Sequence, residues 1–454
     1  MSLERSIEEL GAARIINGAG TLTRLGASPI DPQIAAAMAA AAGWSVDIAE
    51  LQALASTRIA QATGAEAGIV TAGAMAGLLL GAAACIAGLD PVKMARLPHT
   101  RGLRREFIVP RSHRNSYDHG VRAAGARLLE VGLADRLTGC GVRDTEAWEI
   151  ESAIGERTAG VLWLARADAR PSLESVVRVA HTAGLPVLVD AAAELPPVEN
   201  LRRYIAAGAD LVVFSGGKSL GGPSASGILC GRRTLIASAL LQQLDLDYRS
   251  EEWEPPASLI DRSALAGVPR HGIGRACKVG KEQIVGLLLA LERFVAQPAD
   301  LRRAHQEEIV ALLVNALAPL PALHLTSTRD PAHGDLPLLE LRLDARAGLD
   351  ASELAARLRR QRPAVHVDAT AADLGRLVLV PTCLAPADVP LIARAMAAAL
   401  SSGVPEPIGG AAGSDGVPRV PGVPGAPGVP GAPGVSGRAG AQGGPGAPGV
   451  RRQV

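Results

Sequence analysis

The sequence predicts an α/β protein with a mostly parallel sheet in a large domain and a smaller α+β domain after it. Two observations lead to this fold class. Between residues 127 and 184, apolar runs such as AGVLWLA alternate with helical segments such as SLESVVRVAHTAG, which is typical of a parallel sheet covered by helices. From residue 337 to residue 400, short strand-like runs such as AVHVDA alternate with two helical segments, which indicates a separate α+β region.

The chain is long enough for this division, because 454 residues exceed the usual size of one domain. Apolar residues over 284–297 predict a long helix that links the two domains. Beyond it, glycine recurs at every third position from 422 to 449 and proline is frequent, which is a collagen-like composition. We expect an N-terminal arm (1–30), a large domain (31–283), a linking helix (284–310), a small domain (311–402) and a flexible Gly/Pro-rich tail (403–454).

Charge and cysteine content exclude several classes of protein. The 46 basic and 45 acidic residues give a net charge of +1, so the composition offers no general attraction for nucleic acid. The five cysteines lack metal-binding spacing, so we expect reduced thiols, a cytoplasmic protein and no metal site. They lie at positions 85, 140, 230, 277 and 383.

No segment is expected to enter a membrane or direct secretion. The first residues, MSLERSIEELGAARI, lack the apolar core of a signal peptide. Residues 69–89 carry no charge and are about long enough to span a bilayer. Their many glycines and alanines, without a flanking basic cluster, favour a buried helix at a subunit interface instead.

One lysine stands in a setting that is typical of a reactive amine. The run LVVF (211–214) ends in Ser-Gly-Gly and places Lys218 in a loop with two more glycines behind it. Such glycines let the backbone approach a ligand closely. A lysine in a pocket can lose its proton and attack a carbonyl carbon. From this segment alone, a solvated lysine on a surface turn remains an alternative.

A carboxylate ends the strand-like run before it. The run LPVLVD (185–190) finishes at Asp190, and a carboxylate at the end of a buried strand is costly unless a cation meets it. In pyridoxal phosphate (PLP) enzymes the cation is the protonated ring nitrogen, and the aldehyde forms a Schiff base with a lysine. Strand–Asp followed by strand–turn–Lys is the order found in the aspartate aminotransferase fold. Asp190 and Lys218 are therefore candidate catalytic residues.

Five segments in the same order resemble the selenocysteine synthase (L-seryl-tRNA selenium transferase)-like family of PLP enzymes, and most of all its branch related to D-glucosaminate-6-phosphate ammonia-lyase. The resemblance covers roughly residues 10–400 and implies PLP fold type I. The segments are RIINGAGTLTRLGAS (14–28), TGAEAGIVTAGAMAGLLL (63–80), PRSHRNSYDHGVRAAGA (110–126), VDAAAELPPVENLRRYIAAGADLVVFSGGKSLGGPSASGILCGR (189–232) and GIGRACKVGKEQIVGLL (272–288).

The resemblance implies a set of cofactor-binding residues. The cofactor phosphate maps to the turn Thr71, Ala72, Gly73 and Ala74, where a strand leads into a helix and free N–H groups point at an anion. His113, the third candidate catalytic residue, maps to the side chain that stacks on the pyridine ring, with a surface loop histidine as the alternative. Ser215 is placed to donate a hydrogen bond to the phosphate.

Basic residues outside this set are candidates for binding an anionic substrate. Arg114 lies beside His113, and Arg275 and Lys278 lie in a basic, glycine-rich segment (263–283) that suits a phosphate group. Ordinary solvation of loop and helix-start cations is the alternative for all three.

The function implied by the resemblance is a PLP-dependent α,β-elimination on an amino acid or amino sugar acid that releases ammonia and a 2-keto acid. Lys218 would act as the base at the substrate α-carbon. The alternatives are β-replacement of the selenium transferase type and a scaffold whose collagen-like tail binds a partner. The near-neutral charge and the loop Ser-Gly-Gly-Lys favour the lyase. The residues Ser219-Leu220-Gly221 depart from the lyase branch, and Ser224 stands where the family usually has glutamine, so the substrate is left open.

The expected partners are a small-molecule substrate and further copies of the chain, in at least a dimer. The tail is expected to take no part in catalysis, with a trimerising or surface-contact module as the alternative.

Overall fold

The computed structural model describes residues 9–135, 139, 143–344 and 347–401. These residues belong to the first of two compact units, Met1–Gly403. The collagen-like tail and Cys140 lie outside the described residues, so the expectations for them remain predictions. The same holds for the domain boundaries.

A seven-stranded sheet forms the centre of the fold, in the strand order β2-β8-β7-β6-β5-β3-β4. Four of its six strand pairs are parallel, and β8 alone runs antiparallel to its neighbours, β7 and β2. This confirms the predicted mostly parallel sheet. The strands are β2 (Ala67–Thr71), β3 (Glu106–Pro110), β4 (Arg127–Val131), β5 (Thr158–Leu164), β6 (Val187–Asp190), β7 (Leu211–Ser215) and β8 (Gly227–Gly231).

Helices cover both faces of this sheet, which is why most of its strands are buried at nearly every position. Two separate groups of buried side chains lie on the two faces. The helices of this region are α1 (Pro32–Ala42), α2 (Ile48–Thr63), α3 (Ala74–Ala87), α4 (Pro91–Arg96), α5 (His119–Ala123), α6 (Ala147–Ala153), α7 (Leu173–Thr182), α8 (Asn200–Ala206), α9 (Arg233–Gln243) and α10 (Lys281–Ala296).

Helix α3 contains most of the uncharged stretch at residues 69–89 and is buried in the chain itself. Two of its glycines face the sheet. A Cβ atom on Gly77 would lie 3.0 Å from Val213 Cγ1, and one on Gly81 would lie 3.0 Å from Leu188 Cδ1. Small residues therefore let this helix lie close against the sheet. Within the described ranges, none of the helices combines the length and the apolar character needed to cross a membrane.

The C-terminal region has its own sheet and its own buried core. Three antiparallel strands in the order β12-β10-β9 pack with three helices. The strands and helices are β9 (Leu323–Asp330), β10 (Leu336–Leu343), β12 (Arg376–Leu379), α11 (Ala299–Leu317), α12 (Ala351–Arg360) and α13 (Val389–Ser401).

The N-terminal arm is part of this region, which the sequence did not predict. Its strand β1 (Ile15–Gly18) pairs in parallel with β11 (Ala364–Val367). The linking segment also differs from the expectation, because residues 284–310 belong to two helices, α10 and α11, and not to one. Pro298 separates them, since a proline within a helix cannot donate the required backbone hydrogen bond.

The four cysteines that the structure describes have free thiols. Burial raises the pKa of the Cys230 thiol to about 12. A buried thiol of this kind is chemically inert at neutral pH.

Candidate functional site

Three strands of the central sheet place the predicted catalytic residues at one edge. Strand β6 ends at Asp190, the loop after β7 carries Lys218, and the turn after β3 carries His113. Strand β5 lies between β3 and β6 and contacts both of their ends. The N–H of Leu164 donates to His113 Nδ1 (3.2 Å), and the N–H of Ala165 donates to the Asp190 backbone carbonyl (2.9 Å). This is the edge at which ligands bind in open α/β sheets.

The turn expected to bind a phosphate lies beside these residues. Thr71 on β2 and Ser215 on β7 both pair with Gly227 on β8, the strand that lies between them. A Cβ atom on Gly227 would lie 2.7 Å from the Gly73 carbonyl carbon and 2.8 Å from the Ala74 nitrogen. Helix α3 begins at Ala74 without a side-chain cap. Its first N–H groups are therefore available to an anion.

Asp190 is a buried carboxylate with an exposed fraction of 6%. Its Oδ1 atom accepts a hydrogen bond from the N–H of Ala192 (3.1 Å). Burial raises the pKa of Asp190, while the Ala192 hydrogen bond and the charge of Lys218 oppose this shift. In the part of the chain that the structure describes, no ion pair to this carboxylate is formed. A buried carboxylate in this state is set up to receive a cation.

The Lys218 amine lies in the same low-dielectric environment as the Asp190 carboxylate. Burial lowers the pKa of its amine, and the charges of Asp190 and Glu194 oppose the shift. A lysine with a lowered pKa has a larger neutral fraction at neutral pH, and the neutral amine is the nucleophile and the base.

The loop around Lys218 is held on both sides. The N–H of Gly216 donates to the Ser226 carbonyl and the N–H of Gly222 to the Gly216 carbonyl, both at 2.9 Å. On the other side, the N-terminal arm reaches the loop through Ser28. The Ser28 Oγ donates to the Lys218 backbone carbonyl (2.7 Å), and the Ser28 N–H donates to the Gly217 carbonyl (2.9 Å).

Replacing Gly217 with alanine should distort this loop. The new Cβ atom would lie 2.6 Å from Ser224 Cα and 3.2 Å from the Pro223 carbonyl oxygen, and backbone atoms cannot move aside as a flexible side chain can. We expect a loss of about 1–3 kcal/mol in the free energy of unfolding, measured by denaturant titration. Gly267→Ala is the control, because open space surrounds Gly267. Equal stability of the two variants would contradict the tight packing.

His113 is buried, with an exposed fraction of 3%. Because its Nδ1 accepts from the Leu164 N–H, the proton of the neutral ring belongs on Nε2. The Nε2 atom is buried and forms no hydrogen bond of ordinary length and angle with the residues that the structure describes. The rings of His113 and Trp163 pack edge to face, with 5.7 Å between their centres. Within the described part of the chain, this buried N–H group is therefore a candidate donor to a ligand.

Burial lowers the pKa of His113 to about 4, and the charge of Arg166 acts in the same direction. The backbone of Arg170 and the charge of Asp168 oppose this shift. His113 is therefore neutral at physiological pH, and its Nε2 acts as a hydrogen-bond donor without carrying a positive charge.

The lowered pKa predicts a pH dependence of stability. Between pH 6.5 and about 4, an unfolded His113 binds a proton that the folded one does not, so the cofactor-free protein loses stability as the pH falls through this window. The loss attributable to His113 approaches about 3 kcal/mol near pH 4. In urea titrations at pH 7 and pH 4.5, His113→Gln should show a smaller loss than the unmodified protein. The exposed His305→Gln is the control, and parallel losses in all three proteins would contradict the assignment.

The predicted substrate-binding residues are placed differently. Arg114 forms ion pairs with Asp118 and Glu130, so two carboxylates already occupy its guanidinium. Arg275 donates to Asp245 Oδ2 (2.7 Å). Lys278 is exposed and lines a separate cavity of about 550 Å³ with Trp44 and Lys281. Their roles remain predictions.

Two charged residues at the site were missed by the sequence analysis. Glu194 is half-buried, burial raises the pKa of its carboxyl, and its Oε2 lies 3.5 Å from the Tyr204 hydroxyl. Arg166 follows the end of β5. No spacing rule distinguishes the residues of the loop after β5 that face the site from those that do not.

Comparisons with known proteins agree with this geometry. Residues 117–251 match the L-seryl-tRNA selenium transferase family. The chain is 31% identical to the 5'-C-glycyluridine monooxygenase-decarboxylase of a Streptomyces species, over 84% of this chain and 88% of that protein. It is 30% identical to the D-glucosaminate-6-phosphate ammonia lyase of Salmonella typhimurium, over 85% of this chain and 95% of that protein.

The same similarity is present in three dimensions. A solved structure of D-glucosaminate-6-phosphate ammonia-lyase superimposes with a TM-score of 0.72 at 29% sequence identity, and the match covers 88% of this chain and 99% of that one. The similarity therefore extends over the central sheet, the arm and the C-terminal region together.

Proposed function

We propose, from the premise that this chain belongs to the L-seryl-tRNA selenium transferase-like family of PLP enzymes, that it is a lyase acting on an amino acid or amino sugar acid. The net reaction breaks the Cα–H bond and the bond from Cβ to a hydroxyl group, and then the bond from Cα to nitrogen. The water lost in the first stage is regained in the second, so the products are a 2-keto acid and ammonia.

One observation carries this proposal. Asp190 is a buried carboxylate without an ion pair among the described residues, and it lies close enough to Lys218 for each charge to influence the other's pKa. The pyridinium nitrogen of PLP is the cation that such a carboxylate accepts, and a lysine with a lowered pKa is the amine that binds its aldehyde. The two residues therefore fit the cofactor.

The remaining residues of the site fit it as well. The uncapped N-terminus of α3, with Thr71 and Gly73, suits the phosphate, and Ser215 lies one strand away. The Nε2 atom of His113 is a buried donor for which no side-chain or backbone acceptor is found among the residues that the structure describes. Bound in this way, PLP supplies an electron sink for the negative charge that develops at the substrate α-carbon.

The residues of the chain have separate tasks in this proposal. The Lys218 amine takes the proton from the α-carbon, because its lowered pKa leaves it neutral more often than an exposed lysine. Asp190 holds a proton on the ring nitrogen by staying ionised beside it. His113 remains neutral and donates from Nε2 without adding a positive charge that would compete with the ring nitrogen for Asp190.

A second candidate function is oxidative decarboxylation, in which O₂ is consumed and the carboxylate leaves as CO₂. It is favoured by the similarity to the glycyluridine monooxygenase-decarboxylase. The loop Ser219-Leu220-Gly221 also departs from the lyase branch by lacking a basic residue. We keep selenium transfer as a lesser alternative, because the net charge of +1 offers little to bind a tRNA.

The deciding experiment is product analysis of the PLP-loaded protein with D-glucosaminate 6-phosphate, its unphosphorylated form and serine. Equal amounts of ammonia and 2-keto acid without O₂ uptake would support the lyase. Uptake of O₂ with release of CO₂ would replace it by the second candidate. Failure to bind PLP at all would refute both and favour a scaffold. We further propose that the protein acts in the cytoplasm and forms at least a dimer. Sedimentation analysis of the purified protein would test the oligomeric state.

A further inference from the structure

The loop between β9 and β10 (331–335) reaches from the C-terminal region to the central sheet. The Nε2 atom of His333 in this loop lies 3.0 Å from the backbone carbonyl oxygen of Ala193. A Cβ atom on Gly334 would lie 3.5 Å from Pro196 Cβ, so the two segments are also in van der Waals contact. The C-terminal region therefore touches the segment that directly follows β6.

The contacted segment is a turn that orients the Asp190 carboxylate. The N–H of Ala192 donates to Asp190 Oδ1 (3.1 Å), and the N–H of Glu194 donates to the Ala191 carbonyl (3.2 Å) and closes the turn. The Ala193 carbonyl and the Glu194 N–H belong to one planar peptide group. A hydrogen bond to that carbonyl therefore fixes the peptide that closes the turn around the Ala192 N–H.

The ring of His333 is itself held in place. Its Nδ1 atom lies 2.7 Å from Asp330 Oδ2, and Asp330 Oδ1 accepts a hydrogen bond from the N–H of Ala332 (3.0 Å). Both ring nitrogens thus face an acceptor, a carboxylate oxygen on one side and a carbonyl oxygen on the other. A neutral imidazole has a single N–H, so the ring donates to both acceptors only when it carries two protons.

The charge of this ring also reaches the turn. Burial raises the pKa of the Glu194 carboxyl, and the charge of His333 opposes this shift. His333 therefore contacts the turn after β6 through a hydrogen bond to one residue and through its charge on the next.

We propose that His333 is a positioning residue that acts through Asp190. By holding the Ala193 carbonyl, it fixes the turn whose N–H group orients the Asp190 carboxylate for binding a cation. This inference rests on the proposed function for the claim that the cation is the ring nitrogen of PLP. A histidine that served only its own hairpin would need the bond to Asp330 and not the bond to Ala193.

The two hydrogen bonds of His333 can be removed one at a time. The amide nitrogen of glutamine stands about where histidine has Nε2, and that of asparagine about where it has Nδ1. His333→Gln therefore keeps a donor for the Ala193 carbonyl and loses the bond to Asp330. His333→Asn keeps the bond to Asp330 and loses the one to Ala193.

The test is a titration of the cofactor-free proteins with PLP, followed by visible absorption. We expect His333→Asn to weaken PLP binding by about 10-fold, because the turn beside Asp190 loses a hydrogen bond. His333→Gln should stay within about twofold of the unmodified protein, since it keeps that bond. His324→Asn is the control, because His324 is an exposed histidine of the neighbouring strand β9. Circular dichroism melts establish that each variant is folded.

A second variant tests whether the effect passes through Asp190. In the Asp190→Asn protein, His333→Asn should cause no further loss of PLP affinity, because the group that it positions has already been changed. The inference is overturned if the two losses add in full. It is also overturned if His333→Gln weakens PLP binding as much as His333→Asn does, or if His324→Asn reproduces the loss.

These outcomes separate the inference from the proposed function. Failure of the unmodified protein to bind PLP would refute both. PLP binding that depends on His333 in the expected way, without any ammonia release from D-glucosaminate 6-phosphate, would refute the lyase and preserve this inference.

Discussion

Lys218→Ala is expected to lower the turnover of the PLP-loaded protein by about 10⁴-fold or more, because the variant loses both the amine that binds the cofactor and the base at the α-carbon. The visible absorption that arises from the lysine–cofactor bond should disappear as well. Folding should persist, since Lys218 is only partly buried. A circular dichroism melt of the variant checks this point.

The composition of the chain makes this prediction unusually easy to test. The chain contains four lysines, at positions 93, 218, 278 and 281. Borohydride reduction of the loaded protein followed by peptide mass analysis should attach the cofactor to the peptide with Lys218. Lys93→Ala is the matched control, because Lys93 is only partly buried and is paired with Asp90. Labelling of any of the other three lysines in place of Lys218 would contradict the assignment.

Asp190→Asn is expected to have opposite effects on activity and on stability. Turnover should fall by about 10²–10³-fold, because a buried ion pair to the ring nitrogen is lost. The cofactor-free variant should be more stable than the unmodified protein at pH 7. The raised pKa of Asp190 means that folding disfavours its charged form. Asp190 therefore stabilises the folded protein at low pH, where it is protonated, and this stabilisation is lost as the pH rises above the usual pKa of an aspartate.

Turnover and urea unfolding of the cofactor-free proteins measure the two effects separately. Asp190→Glu keeps the charge and should retain more activity than Asp190→Asn. If Asp190→Asn instead destabilises the cofactor-free protein at pH 7, then Asp190 has a structural role. The gain in stability with a loss of function is the behaviour expected of a residue kept for binding or catalysis.

The central sheet could be predicted from the sequence because its signals are local. Apolar runs identified β5, β6 and β7, and the order of Asp190 and Lys218 along the chain identified the edge at which they meet. Strand β1 could not be predicted, because its partner β11 lies near the other end of the described chain. A short segment whose hydrogen bonds all depend on a distant strand carries no periodic pattern of its own.

The roles of the basic residues at the site also depend on contacts between segments that are distant in the sequence. The sequence draws attention to Arg114 because it stands beside His113, but the structure pairs it with Glu130 on a neighbouring strand. Arg166 has no comparable signal, and its position depends on hydrogen bonds from β5 to two other strand ends. Tertiary ion pairs, which the sequence does not show, thus decide which cations already have a carboxylate partner.

The pairing of β1 with β11 also determines at which stage of synthesis the fold can be completed. The arm leaves the ribosome well before its strand partner β11, because the two strands lie far apart in the chain. Until β11 has emerged, the arm has no sheet to join, and Ser28 is not held over the lysine loop. The newborn chain therefore cannot complete its reactive centre before β11 has emerged, and a chain that stops short of β11 would have all three catalytic candidates but lack the strand that holds the arm beside them.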